Sequence, residues 1–193
     1  MREDLLVYSF LWLLDLPSCF IPAWCFSICA SDLALCLAER RYSGDLDFNR
    51  TWEEYKNGFG SLDAEFWLGN EALHQLTSKH KYELHFYVVG KGVYFFYCGG
   101  NITVGAESTG YRLQLENTPH SNALFSTFDR KNNETMTYSC SNGDPSDAQG
   151  WWYKPCAKYN LNGIWQANNA SGLVFLFKRF KPYKTNVYIR RNG

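Results

Sequence analysis

The sequence predicts an α+β fold: a twisted, largely antiparallel sheet with short helices beside it and a loop-rich C-terminal subdomain. Three observations lead to this prediction. Segments that alternate polar with apolar residues recur within residues 82–115 and again at residues 184–190, as half-buried antiparallel strands do. Two short helical stretches precede them, the first with capping residues and the second with apolar residues at helical spacing. The residues between Cys140 and Cys156 are rich in Ser, Asn, Gly, Asp and Pro, which form turns.

The length and composition indicate one domain with no strong charge. At 193 residues the chain can bury a core large enough to be stable without a metal. Aromatic residues make up 18% of the sequence, which suits a fold of strands and loops around large packing side chains. The formal net charge is zero and the isoelectric point is near 6.9, so the sequence offers no basic surface for nucleic acid or an anionic membrane.

Cysteines and glycosylation signals indicate an extracellular protein. The chain has seven cysteines and N-glycosylation sequons that begin at Asn49, Asn101, Asn133 and Asn169. Together these features favour an oxidising secretory route and predict a secreted glycoprotein that contains a disulfide bond. Because the number of cysteines is odd, at least one thiol stays unpaired or bonds to another chain.

Residues 1–38 form an apolar leader with three open interpretations. Residues 5–14 are almost entirely apolar, and the apolar character continues to Ala30. One interpretation is a signal peptide cleaved near Ala30, and another is a membrane-spanning helix. Both interpretations are opposed by a charge and two prolines within the run, namely Asp15, Pro17 and Pro22. The third interpretation is that these residues are a start that does not belong to the domain. We expect this leader to stay outside the domain core, with no membrane contact beyond a targeting role.

Two short helices are predicted after this leader. Residues 45–59 indicate a turn, a short strand and then a helix, which Asn49 or Thr51 caps and Gly58 ends. Residues 70–77 indicate a second helix with two leucines facing inward. We interpret both helices as packing elements of the domain.

The predicted strands follow from β-branched and aromatic residues and from alternation. A hairpin with a Gly-Lys-Gly turn comes first, and two alternating segments continue the sheet. Gly99 and Gly100 are interpreted as a turn between strands. The strands are predicted at residues 82–89, 93–97, 101–105, 111–115 and 184–190.

Several spaced motifs carry a family resemblance. The sequence reads FSTFDR at 125–130, WWYKPC at 151–156 and NLNG at 160–163. Upstream it reads RYSGDLDFNRTWEEYKNGFG at 41–60 and EFWLGNEALH at 65–74. These ordered and compositionally rare motifs resemble those of fibrinogen-like domains, from about residue 40 to the C-terminus. The resemblance implies the fibrinogen C-terminal fold, with residues 39–193 as a partial domain of that type.

The resemblance also implies a disulfide bond between Cys140 and Cys156. The residues between them form turns and cannot bury enough apolar surface to order themselves. A disulfide would restrict this loop, which is worth about 3 kcal/mol in the chain-entropy model. Cys98 has no counterpart in the family, so we expect it to stay outside this bond.

Fibrinogen-like domains hold calcium in the loop that corresponds to residues 129–134, and here that site is degenerate. Asp129 matches the family's first carboxylate, whereas Lys131 occupies the position of the second and Asn133 a later position that is usually acidic. An ammonium group removes an oxygen ligand and places a positive charge beside the cation. Lys131 can instead pair with Asp129. We therefore expect no cofactor, and calcium is the only candidate.

Lectin-like members of the family bind acetylated sugars in a shallow pocket, which this sequence keeps only in part. Ser139 precedes Cys140 where asparagine is usual, and Ala157 replaces the histidine that follows the second cysteine. Tyr153 and Trp165 retain an apolar wall that could contact an acetyl methyl group. The alternative, which we favour, is that both aromatic side chains are part of the core.

The predicted function is recognition without catalysis. The four histidines are scattered, and no nucleophile, phosphate-loop or dinucleotide motif is present. The sequence predicts a secreted module that binds a protein partner of matrix or signalling type. The alternative is a lectin-like module that recognises acetylated glycans in innate immunity. A third interpretation is a fragment that has lost the family's N-terminal hairpin and its function.

Overall fold

A seven-stranded antiparallel sheet is the centre of the structure, which is a computed structural model. It describes residues 35–90, 93–116, 118, 121–132, 149–153, 160–163, 165 and 182–192. The strands are β1 (Leu35–Arg41), β2 (Phe59–Gly60), β3 (Phe66–Trp67), β4 (Tyr82–Gly90), β5 (Val93–Val104), β6 (Leu113–Leu115), β7 (Phe125–Ser126), β8 (Trp151–Trp152) and β9 (Pro182–Arg191). The order in the sheet is β2-β3-β1-β9-β4-β5-β6, and β7 pairs with β8 separately. The predicted α+β class and the largely antiparallel sheet are confirmed.

Helix α1 (Trp52–Asn57) begins and ends where local signals predict. The Thr51 hydroxyl accepts the backbone N–H of Glu54, and the Glu54 carboxylate accepts the backbone N–H of Thr51. This capping box satisfies two amide donors that a helix start leaves unpaired. Of the two predicted caps, the structure uses Thr51. Gly58 ends the helix with a φ of 84°, a conformation that favours glycine.

Helix α2 (Asn70–Lys79) packs its apolar face on the sheet. Ala72 and Leu73 are buried, and Leu76 is partly buried against the same core. The Thr77 hydroxyl donates to the carbonyl of Leu73 and accepts the backbone N–H of Val104, so it joins the helix to β5. The helix runs two residues beyond the predicted end at Thr77.

Strand β1 shows that the expected exclusion of residues 1–38 from the core is wrong at residues 35–38. Leu35–Arg41 lies in the sheet between β3 and β9, where Cys36, Leu37 and Ala38 are buried. The boundary drawn at residue 38 therefore falls inside a strand. A strand covered on both faces is a continuous apolar run without alternation, so it resembles an apolar leader. Residues 1–34 lie outside the described part of the chain.

The hairpin of β4 and β5 is confirmed, but the predicted turn at Gly99 and Gly100 is wrong. Both glycines lie inside β5, which is one strand from Val93 to Val104 rather than two. The β4–β5 register shifts between Glu83 and His85 opposite these glycines, as it does at a bulge. A Cβ atom at Gly100 would lie 2.5 Å from Cβ of Glu116. The close approach of Glu116 therefore requires glycine at this position.

The predicted short strand after residue 45 is also wrong, because this segment winds around a carboxylate. Glu65 is buried and accepts four backbone N–H groups, from Tyr42, Ser43, Gly44 and Leu46, at 2.7–3.0 Å. These amides donate to the Glu65 carboxylate, so they do not form the hydrogen bonds of a β-strand. The predicted strand at residues 111–115 likewise shortens to β6, because Tyr111 has a φ of 45°.

A cluster of aromatic rings joins the sheet to the C-terminal part of the domain. Phe125 of β7 lies 5.2 Å from Tyr55 of α1 and 5.0 Å from Trp152 of β8, measured between ring centroids. Trp67 of β3 contacts Tyr55 and Trp152 as well. Large aromatic side chains dominate core energetics, and this cluster fixes β7 and β8 against α1.

Candidate functional site

The loop predicted to bind calcium begins with a carboxylate that already has a protein partner. Both Asp129 oxygens accept the backbone N–H of Trp52, at 2.9 and 3.2 Å. Trp52 is the first residue of α1, so the carboxylate lies at the positive end of the helix. Asp129 therefore fastens the loop to α1 without a metal.

Glu107 organises the charged side chains beside this loop. Its carboxylate accepts hydrogen bonds from the indole of Trp52 at 2.8 Å and from Lys56 at 2.8 Å, and it pairs with Arg130 at 3.3 Å. The hydrogen bonds from Lys56 and Trp52 lower the pKa of Glu107 below its usual range. The Arg130 guanidinium also lies 3.9 Å from the centroid of the Trp52 ring, within the range of a cation–π contact.

The chain between Thr127 and Arg130 is a tight turn that carries an exposed aromatic residue. Thr127 and Arg130 exchange backbone hydrogen bonds at 2.9 and 3.3 Å. The Asn132 side chain donates to the carbonyl of Phe125 at 2.9 Å, which holds Asn132 against β7. Phe128 lies within this turn, and 51% of its surface is exposed.

The remaining calcium-loop residues are only partly described. Lys131 is exposed, and no ion pair between Lys131 and Asp129 occurs in the described part of the loop, which ends at residue 132. Asn133 lies outside the described residues. Within the described ranges there is no group of three or more His, Cys, Asp or Glu side chains that could hold a metal ion. The expectation that this loop binds calcium poorly stays a prediction.

The two aromatic residues of the predicted sugar pocket are described, and each packs on a different neighbour. The Tyr153 hydroxyl donates to the carbonyl of Gln149 and accepts the side-chain amide of Asn160, and burial raises its pKa. Trp165 lies 5.2 Å from the Arg41 guanidinium. Among ring contacts between described residues, none joins Tyr153 to Trp165. Both rings pack against the core cluster. The other pocket and disulfide positions, namely Ser139, Cys140 and Cys156, lie outside the described residues.

Arg41 is a structural residue that the sequence reasoning missed. Its guanidinium is buried in β1 and donates to the carbonyls of Leu161 and Gly163, at 2.8 and 2.6 Å. The same group lies 4.1 Å from the ring centroid of Phe48. Arg41 therefore positions the NLNG turn against the sheet. No local pattern marks a buried arginine whose partners are more than a hundred residues away.

Glu39 is a second buried charge that the sequence reasoning missed. It lies in β1 beside β9, and its Oε1 accepts the Thr185 hydroxyl at 3.1 Å. Burial raises the pKa of its carboxyl to about 7, although Arg41 and the Thr185 hydrogen bond oppose the shift. Among the described residues, its other oxygen has no hydrogen-bond partner. This carboxyl is therefore neutral over part of the physiological pH range.

Two of the four predicted glycosylation sites are described by the structure. Asn49 and Asn101 are exposed, which leaves both sequons at the surface, whereas Asn133 and Asn169 lie outside the described residues. Cys36 is disulfide-bonded. Neither described helix has the length and apolar content to cross a membrane.

Comparison with known proteins identifies the family. The family model for the C-terminal globular domain of fibrinogen beta and gamma chains matches residues 27–186. The fibrinogen alpha chain of Rattus norvegicus is 40% identical over 156 residues, which is 67% of this chain and 19% of that protein. Human angiopoietin-2 is 32% identical over 174 residues, or 80% of this chain and 34% of its own length. The chain thus spans about a fifth to a third of these relatives.

Solved structures agree with the sequence matches. The fibrinogen-like globe domain of human ANGPTL2 has a TM-score of 0.70 at 30% identity, and the alignment covers 83% of this chain and 81% of that domain. Lamprey fibrin D-dimer, solved with a Gly-His-Arg-Pro-amide peptide, shares the fold with a TM-score of 0.70 at 24% identity, over 82% of this chain and 62% of that one. The resemblance read from the motifs is confirmed, and the chain belongs to the family of fibrinogen C-terminal globular domains.

Proposed function

We propose that this domain is a secreted, non-enzymatic recognition module that binds a protein partner of matrix or signalling type. The observation that carries the proposal is the exposed Phe128 on a turn that the protein itself holds in place. Protein interfaces depend on a few buried aromatic anchors, and the cost of ordering them is low when they are already fixed.

The surroundings of Phe128 support a protein interface. The turn is closed by two backbone hydrogen bonds, and Asp129 fastens it to α1. Glu107, Lys56 and Arg130 form a charged group beside it. An exposed aromatic residue with a polar border is typical of an interface centre and its rim. Lys56 and Arg130 both pair with Glu107, so each charged side chain of this border has a partner within the domain.

The lectin-like alternative has less support. It depends on Tyr153 and Trp165, and both pack against the core cluster. The Tyr153 hydroxyl already exchanges hydrogen bonds with Gln149 and Asn160. A sugar would have to compete with these contacts. We therefore expect acetylated glycans to bind weakly to a single domain.

Secretion and glycosylation form part of the proposal. The relatives named fibrinogen, angiopoietin and tenascin are secreted extracellular proteins, and the disulfide at Cys36 suits an oxidising compartment. Expression in animal cells should release a protein whose mobility increases after treatment with an N-glycosidase. Asn49→Gln should remove part of that shift. An unglycosylated protein retained inside the cells would contradict this part.

The binding proposal is tested with two arrays in parallel. One carries receptor ectodomains and matrix proteins, and the other carries acetylated glycans, each probed with and without calcium. We expect binding on the protein array that Phe128→Ala abolishes. Tyr42→Ala is the matched control, because Tyr42 is the other large hydrophobic residue that the described structure exposes, at 43%. Saturable binding to acetylated glycans, with no Phe128-dependent protein binding, would favour the lectin-like function instead.

A further inference from the structure

A half-open apolar cleft of about 250 Å³ lies at one edge of the main sheet. Strand β2 is the last strand at that edge and has β3 as its only neighbour in the described sheet. The cleft is far from Phe128 in the chain and does not include any residue of the Thr127–Arg130 turn. Its lining residues are Gly58, Phe59, Gly60, Leu62, Phe66 and Trp67.

Two glycines fix the backbone wall of this cleft. Gly58 and Gly60 have φ angles of 84° and 90°, which only glycine adopts readily. A Cβ atom at Gly58 would lie 2.6 Å from the carbonyl oxygen of Leu68, and one at Gly60 would collide with the carbonyl of Glu65. The wall is therefore main chain packed on main chain. Such a wall does not close by a side-chain rotation.

Two arginines lie over the aromatic rings of the cleft, and their charges are balanced differently. The Arg50 guanidinium is 5.5 Å from the Phe59 ring centroid and pairs with Glu54 at 3.0 Å. The Arg40 guanidinium is 5.9 Å from the Phe66 ring centroid and donates to the carbonyl of Leu62 at 2.8 Å. In the described ranges, Arg40 has no carboxylate within ion-pair distance. Among the described residues, no carboxylate therefore forms an ion pair with Arg40 at the cleft.

We propose that this cleft binds a short extended segment of a partner protein that carries an apolar side chain followed by Asp or Glu. The cleft has the volume for one or two apolar side chains, and its apolar surface favours burying them. The Arg40 fork matches the geometry of a carboxylate, which supplies the missing negative charge. An extended segment can also approach the side of β2 that no other described strand pairs with. This interface is independent of Phe128 and adds a second contact to the proposed function.

The test titrates the isotope-labelled domain with two peptides and follows its backbone amides by NMR. The probes are acetyl-Gly-Leu-Phe-Glu-Gly-amide and the same peptide with Gln in place of Glu. We expect the Glu peptide to shift the amides of Gly58 and Gly60 and to bind about fivefold more tightly than the Gln peptide, as a partly exposed ion pair allows. Arg40→Gln should bind both peptides equally, whereas Arg40→Lys should keep part of the preference.

The control variant is Arg50→Gln, because Arg50 also lies over a cleft ring but its charge is already paired. It should keep the preference for the Glu peptide. Equal binding of both peptides to the natural domain, or shifts at residues away from the cleft, would overturn the proposal. So would the absence of shifts at millimolar peptide. Phe128→Ala should bind the Glu peptide normally, so failure of this interface and failure of the Phe128 interface can be told apart.

Discussion

The Asp129 carboxylate accepts the backbone N–H of Trp52 through both oxygens, at 2.9 and 3.2 Å. This contact joins the polar loop to the first residue of α1, across 77 residues of sequence. A carboxylate at this end of a helix satisfies an amide donor and meets the positive end of the helix dipole. The residue expected to be the first calcium ligand therefore has a structural role that needs no ion.

Asp129→Ala should destabilise the domain by about 1 kcal/mol, because the Trp52 amide loses its charged partner. The loss should be the same with excess calcium and with chelator, and chemical unfolding measures it. Asp63→Ala is the control, because Asp63 is an exposed aspartate in another loop and should change stability little. A loss that appears only when calcium is present would show that Asp129 acts through a metal.

Calcium should not raise the thermal unfolding midpoint of the natural domain. Lys131 puts an ammonium where the family has a carboxylate, and a ligand stabilises only by RT ln(1 + [L]/Kd). A site with a Kd well above ~1 mM adds almost nothing at extracellular calcium concentrations. Lys131→Asp restores the carboxylate and should give a calcium-dependent rise.

The matched control for that experiment is Lys81→Asp, which makes the same charge change at an exposed lysine in another region. It should show no dependence on calcium. A natural protein whose midpoint falls in chelator would mean that other oxygen ligands rebuild the site in spite of Lys131.

Glu39 should make the domain less stable as the pH rises. Burial raises the pKa of this carboxyl from 4.5 to about 7 in the folded state, so the folded state holds the proton more tightly than the unfolded state. Its contribution is full below pH 4.5 and is lost as the pH rises through 7, by about 3 kcal/mol at most. Relative to Glu39→Gln, the natural domain should lose free energy of unfolding between pH 5 and pH 8. Equal pH profiles would contradict this.

Glu65 is the control within the same domain, because its pKa shift is opposite in direction to that of Glu39. Although burial raises its pKa, the backbone N–H groups of the 42–46 segment outweigh that effect and lower the pKa below 4.5. Its contribution is present above that pH and is lost as the pH falls through the folded-state pKa. Glu65→Gln should therefore be less stable than the natural domain at pH 7, with a smaller difference in acid.

Leu37→Ala should cost about 2–5 kcal/mol, the usual range for a leucine deleted from a packed core. Leu37 is buried in β1 between two other strands. Gln114→Ala is the control, because Gln114 lies on the exposed side of β6 and should change stability by less than about 0.5 kcal/mol. Deleting residues 1–38 should prevent cooperative unfolding altogether. A deletion that leaves the thermal midpoint unchanged would restore the view that the leader ends at residue 38.

The sequence predicts the elements whose signals are local. The capping pair of Thr51 and Glu54, the terminating Gly58 and the alternation of residues 184–190 all lie within a few residues of what they control. Strand β1 was missed because β9, its neighbour in the sheet, comes much later in the chain. Without that partner, residues 35–38 are indistinguishable from the apolar run before them.

The candidate site could be predicted in type but not in arrangement. FSTFDR and NLNG located the loop and the turn, because these motifs are compositionally rare. The hydrogen-bond partners of Asp129, Arg41 and Glu65 could not be predicted from the sequence, since each partner is a backbone group that the tertiary fold brings near. Backbone partners carry no side-chain signature. Sequence motifs alone therefore indicate ligand positions without showing that Asp129 also accepts the backbone N–H of Trp52.

The place of β9 in the middle of the sheet has a consequence for how this domain is made in the cell. Thr185 reaches Glu39 across 146 residues, and Arg190 reaches Glu83 across 107. During translation, β1 with its neighbours and the β4–β5 hairpin leave the ribosome well before β9 does. Until β9 arrives they are two separate pieces with open edges, and open edges pair readily with other chains. Closing such long loops is also slow. We expect the nascent domain to need chaperone protection until the ribosome has released Arg191.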